Sequence, residues 1–164
     1  MNLDPVNMMP WSSDWLWSLP LSVVCAVIHV VGLYFIKQRF DHLLLEAAEY
    51  KMKIAAMVFM AVTIVSVTLL HGMEATIWAA AFRWLHALPD NKSAMLYSLN
   101  AMTTFGHSGG SLESHWQLMG ALEALNGLIL FGLSTAFLFA MIQEIWNRLG
   151  KRPVRGAILA RVEA

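Results

Sequence analysis

The chain has 164 residues, 58% of them hydrophobic and only 13% charged, with a mean hydropathy of +0.57. That is too little polar surface for a soluble domain of this size. Eleven basic residues balance eleven acidic ones, so net charge points to no nucleic acid and no acidic partner. Cys25 is the single cysteine, which excludes an intrachain disulfide, a thiolate metal cluster and a redox pair and leaves a small lipid-facing or packing residue.

Residues 1–18 form a tail without Lys or Arg, carrying Trp11, Trp15 and Trp17 as interfacial anchors. Residues 19–36 are apolar apart from Ser22, His29 and Tyr34, a length that covers most of a ~30 Å hydrocarbon core. The run ends in "KQRFDH" and no cleavage site follows it, so it is expected to be a retained first span. His29 stands alone on its apolar face and is expected to make an interhelical hydrogen bond. Residues 37–53 are a basic loop with Lys37, Arg39, Lys51 and Lys53.

The second span is expected from Ile54, with helix continuing to Leu88, where Pro89 stops it. Such a helix is about 50 Å long and projects beyond the bilayer. His71 and Glu74 lie one turn apart near its outer end and can touch. Ionisable groups at that depth imply a paired contact supporting the next helix through Tyr97 or Asn100, a proton relay, or a two-residue metal site.

Asp90 or Asn91 can cap a helix from Lys92 or Ser93 to Thr104. It is about 18 Å long, enough to reach halfway into a bilayer. The glycines of "TTFGHSGGS" then turn the chain back. Residues 92–110 therefore fit either a re-entrant loop or an external loop with a surface helix. Irregular backbone at membrane depth requires burial in protein or a watery cavity.

The third span covers residues 117–146. Its Glu123 is expected to face the preceding short helix or water, since a carboxylate facing lipid is expensive. Gly120, Gly127 and Gly132 allow close packing or bending; Gly127 and Gly132 are the hinge candidates. Residues 147–164 carry Arg148, Lys151, Arg152, Arg155 and Arg161, a basic tail suited to anionic headgroups. The positive-inside rule then places the first loop and the C-terminus in the cytoplasm and the N-terminus outside.

The ordered set "LHGMEATIWAAAFRWLHALPD", "SAMLYSLNAMTTFG" and "WQLMGALEALNGLILFGLSTAFLFAMIQ" resembles the bacterial two pore domain potassium channel family, in its forms with a single pore loop. The resemblance covers roughly Lys51 to Glu144. It implies a filter made by Thr103, Thr104, Phe105, Gly106, His107, Ser108 and Gly109, in which backbone carbonyls and a threonine hydroxyl replace the water around a cation. Potassium channels carry Thr-Val-Gly-Tyr-Gly-Asp there. Here His107 replaces the bracing aromatic, Ser108 the second glycine and Gly109 the outer acid, and positive φ at Ser108 would cost about 1–2 kcal/mol; a one-residue shift would instead bring Gly109 into the second glycine's place, with His107 and Ser108 both to be accommodated. The inner half matches and the outer half departs.

The expectation is an all-α, single-domain, multi-pass protein of the bacterial inner membrane. It has three transmembrane helices, with a re-entrant pore helix and filter loop between the second and third. One loop cannot surround an ion, so a homotetramer in the lipid bilayer is implied. The expected function is passive conduction of a monovalent cation such as K+, with the selectivity left open by the altered outer half of the filter, and no resident cofactor or metal. A non-conducting structural or regulatory pore-loop protein is one alternative, and a proton- or metal-linked transporter using His71 and Glu74 is another. No HExxH, P-loop or dinucleotide motif occurs and no Ser/His/Asp set can be argued, so no enzyme and no catalytic residue is expected.

Overall fold

The computed structural model describes residues 10–46, 52–105, 112, 113 and 116–150, and these are helical apart from short turns. The helices are α1 (Pro10–Glu46), α2 (Met52–Trp84), α3 (Asn91–Met102) and α4 (Gln117–Gly150). Among them α1, α2 and α4 are long and apolar enough to cross a membrane. Over the described residues the fold is all-helical, with three helices of the length and apolarity of a membrane protein.

Side-chain placement is the reverse of a soluble bundle. Val23, Val27, Val30, Tyr34, Met57, Leu69 and Phe131 point outward, while Asp14, Ser18, His29, Thr63, Glu74, Glu123 and Ser134 point in. On α1 the buried face repeats at intervals of four and seven, through Asp14, Ser18, Cys25, His29, Leu33 and Phe40, a stripe that one helical face can hold. Cys25 is fully buried, so of the two expectations for it packing holds and lipid exposure does not.

Helix α2 runs antiparallel to α1: the Phe40 and Phe59 rings stand 4.7 Å apart near one end, and His29 and His71 stand 5.0 Å apart further along. Gly32 lets Leu70 lie close, since a Cβ there would sit 2.9 Å from a Leu70 methyl. Helix α4 runs parallel to α1, its Arg148 reaching Asp41 at 3.6 Å. Two apolar clusters result. One surrounds α3 and includes Trp78, Phe82, Tyr97, Met102 and Met119; the other gathers Phe40, Ala56, Phe59, Met141 and Ile145 at the opposite end. Residues 29, 71, 74 and 134 form a polar layer between them.

Boundaries of α1 and α2 differ from expectation: α1 already begins at Pro10, inside the stretch expected to be a tail before residue 19. Helix α1 continues past Ile36 to Glu46, because Phe40 is fully buried and Lys37 pairs with Asp41 at 2.7 Å. Helix α2 ends at Trp84, before Leu88 and Pro89. His86 adopts φ 58°, its N–H donates to Arg83 O (3.2 Å), and the Ala87 N–H donates to Phe82 O (2.9 Å). This pair of bonds around a left-handed residue is a Schellman stop, so the carbonyls of the last turn are satisfied before the proline is reached.

Candidate functional site

The short helix α3 is positioned from both ends. Beyond the stop at His86, Arg83 spans the connection: Nη1 donates to Leu88 O at 2.6 Å and Nε to Asn91 Oδ1 at 3.0 Å. Asp90 is the N-cap, accepting from the Ser93 N–H (2.9 Å) and hydroxyl (2.7 Å). These Ser93 hydrogen bonds hold its carboxyl below the usual carboxylate value. The buried stripe Ala94, Tyr97, Ser98, Ala101 and Met102 keeps helical spacing and packs between α2 and α4. Tyr97 meets Phe82 edge-to-face at 5.3 Å.

Glycines on α4 set how near α3 comes. A Cβ at Gly120 would overlap the Tyr97 hydroxyl, and one at Gly127 would lie 2.6 Å from Met102 Cα and 2.7 Å from Met102 O. The end of α3 therefore touches α4 about 15 Å along from the start of α4. Of the hinge candidates, Gly127 lies at a backbone-to-backbone contact, whereas a Cβ on Gly132 would meet nothing within 4 Å. Helix α4 is continuous through both.

Helix α3 ends at Met102, with Thr103 as its C-cap. The Phe105 N–H donates to Asn100 O (3.0 Å) and the Thr104 N–H to Ala101 O (3.1 Å), with Thr104 at φ 56°. This is a second Schellman stop, built here on a β-branched residue for which positive φ is strained. The Thr103 hydroxyl donates back to Leu99 O at 2.7 Å. Thr103, Thr104 and Phe105 are exposed on the single chain, Phe105 at 77%. A cavity of about 370 Å³ opens beside them, lined in part by Thr68, His71, Met102, Thr103, Thr104 and Gly127. Gly106, His107, Ser108 and Gly109, with the positive φ expected at Ser108, lie outside the described residues, as do residues 151–164 of the basic tail.

His71 and Glu74 do meet, Nδ1 to Oε2 at 3.3 Å, and their partners are His29 and Ser134, where Tyr97 or Asn100 had been expected. His29 Nδ1 lies 2.8 Å from Glu74 Oε1. The Nε2 atoms of His29 and His71 lie 2.9 and 3.1 Å from Ser134 Oγ. Four side chains from three helices thus form a closed quartet in which His29 and Glu74 are fully buried and His71 faces the cavity. The ligand atoms of His29, His71 and Glu74 all lie within 4.8 Å of one another. Glu123 is also fully buried and faces Ser98 of α3; neither of its oxygens has a well-formed hydrogen bond among the described residues.

Sequence reasoning missed Ser134 altogether and gave His29 no partner. Polar residues at buried intervals on α1 and α4 were the available signal. The chain matches no protein-family model, no curated protein and no solved structure.

Proposed function

We propose that the protein is a pore-loop cation channel, potassium-channel-like, assembled from four copies in the bacterial inner membrane with its C-terminus in the cytoplasm. The observation that carries this reading is the contact of Met102 with Gly127, which supports a re-entrant course for α3, ending alongside the middle of the long helices. A helix entering C-terminus first directs its carbonyl end, and about half a negative charge, toward the interior, where it favours a cation. Thr103, Thr104 and Phe105 then begin the filter, and four copies turn their exposed surfaces toward a common axis.

The left-handed turn at Thr104 favours one second reading. Residues whose N–H groups fold back to cap their own helix, as those of Thr104 and Phe105 do on Ala101 O and Asn100 O, do not line a pore, as a non-conducting pore-loop protein requires. Reconstitution in planar bilayers with mixed potassium and sodium separates the two. The channel reading expects cation-selective currents, a tetramer by native mass spectrometry, and loss of current in Gly106→Val. Silence at every voltage, pH and ion tested, from a protein shown to be inserted, overturns it.

A further inference from the structure

With both imidazoles neutral, the His29–Glu74–His71–Ser134 quartet has three hydrogens for four contacts. An ionised carboxylate only accepts, each neutral imidazole carries one N–H, and a serine hydroxyl carries one O–H. If both Nδ1–H groups bond to Glu74, both Nε2 atoms present lone pairs to Ser134, which has a single proton for two contacts. One contact of four then has no hydrogen. With the His71 proton on Nε2 instead, the contact left without one is the 3.3 Å approach of His71 Nδ1 to Glu74 Oε2, an oxygen that is fully enclosed and has no well-formed hydrogen bond among the described residues.

A cation on the Glu74 side removes this defect. With Nδ1 of His29, Nδ1 of His71 and a Glu74 oxygen bound to it, each imidazole keeps its proton on Nε2. Both Nε2–H groups then donate to the two lone pairs of Ser134 Oγ, at the observed 2.9 and 3.1 Å, and the serine proton is left for another acceptor. Holding the remote N–H of a ligating histidine is what an outer-shell partner does at metal centres. His29 Nδ1 approaches Glu74 Oε1 at 2.8 Å and His71 Nδ1 approaches Oε2 at 3.3 Å, and one ligand atom from each of the three residues lies within 4.8 Å of the others, close enough for small side-chain rotations to bring them onto one ion with bonds of about 2.0–2.1 Å.

We propose that His29, His71 and Glu74 bind one divalent transition-metal ion of the zinc class, with Ser134 orienting both imidazoles. Two nitrogens and a carboxylate suit zinc, iron or cobalt, whereas magnesium and calcium prefer all-oxygen shells. His71, 24% exposed, is the entry, since it borders the cavity beside Thr103 and Thr104. The buried thiol of Cys25 and the carboxylate of Glu123 lie in the same core and are not needed as ligands. The site is independent of conduction: it joins α1, α2 and α4 whether or not ions cross the assembly.

The test uses the full chain, purified without a polyhistidine tag and placed in lipid nanodiscs, with Co2+ as a spectroscopic probe and Zn2+ as competitor. Expected are visible d–d bands saturating at one Co2+ per chain and bleached by Zn2+. Affinity should fall about 100-fold or more in His29→Ala, His71→Ala and Glu74→Gln, and about 10-fold in Ser134→Ala. His42→Ala and His86→Ala should bind as wild type. If a ligand variant fails to fold, zinc-edge X-ray absorption on the wild-type protein decides, two imidazoles in an N/O shell being the expected result. Absence of bound metal in the wild type, or binding unchanged in the ligand variants, overturns the site.

Discussion

Gly127 lies against Met102 so closely that a single added carbon at Gly127 would fall 2.6 Å from the Met102 Cα. The obstacle is backbone and cannot rotate aside, so α3 or α4 has to move as a body. Gly127→Ala should destabilise the protein by about 1–3 kcal/mol. Gly132→Ala, with open space at its Cβ, should change stability by less than about 1 kcal/mol and favour helix if anything. Thermal unfolding of the two variants in one detergent checks the contrast, and equal losses would contradict it.

Thr104 stores strain at the end of α3. Its φ of 56° suits glycine, so Thr104→Gly should stabilise the fold by about 1 kcal/mol. The hydroxyl is lost as well, so the same variant should conduct differently from wild type if Thr104 lines a filter. A higher melting temperature with altered currents is the expected pair of results.

Arg83 holds the α2–α3 connection through two donors aimed at different acceptors, Leu88 O and Asn91 Oδ1. Arg83→Ala should cost about 1–2 kcal/mol. Lysine keeps the charge but not the fork, so Arg83→Lys should recover little of that loss. Full recovery in denaturant unfolding would mean that charge alone matters at this turn.

Asp90 supplies a pH dependence whose sign is fixed. Its carboxyl titrates below the ordinary 3.8 because Ser93 bonds the charged form. A depressed value stabilises the folded state above the ordinary value, and that stabilisation fades as pH falls through the lower folded one. Asp90→Asn still caps the helix but does not titrate. Wild type should therefore melt above Asp90→Asn at neutral pH, with the gap closing only below about pH 4. A gap that is constant with pH would remove the carboxylate from the account.

The sequence discloses what depends on local order. Three apolar runs, a capped helix after Asp90, and a His71–Glu74 contact at one-turn spacing all follow from neighbours within a few residues. The rest depends on distance along the chain. His29 is 45 residues from Glu74, and Ser134 is 63 from His71; no periodicity on one helix names a partner on another. The early end of α2 was obscured for a different reason: Pro89 is a visible stop, while a left-handed His86 satisfies the same carbonyls sooner without glycine to mark it.

The quartet also bears on how the chain assembles. Helices that enter a bilayer one at a time meet afterwards on faces that are largely hydrocarbon, and such faces slide and rotate at little cost. A slip of one residue moves a side chain 1.5 Å along the axis and about 100° around it. His29, Glu74, His71 and Ser134 tolerate neither, because a missed partner leaves a carboxylate or an imidazole bare in lipid. Among the described residues, this is where polar groups of α1, α2 and α4 all converge. It selects one alignment from many near-equal ones and fixes the scaffold on which α3 is seated.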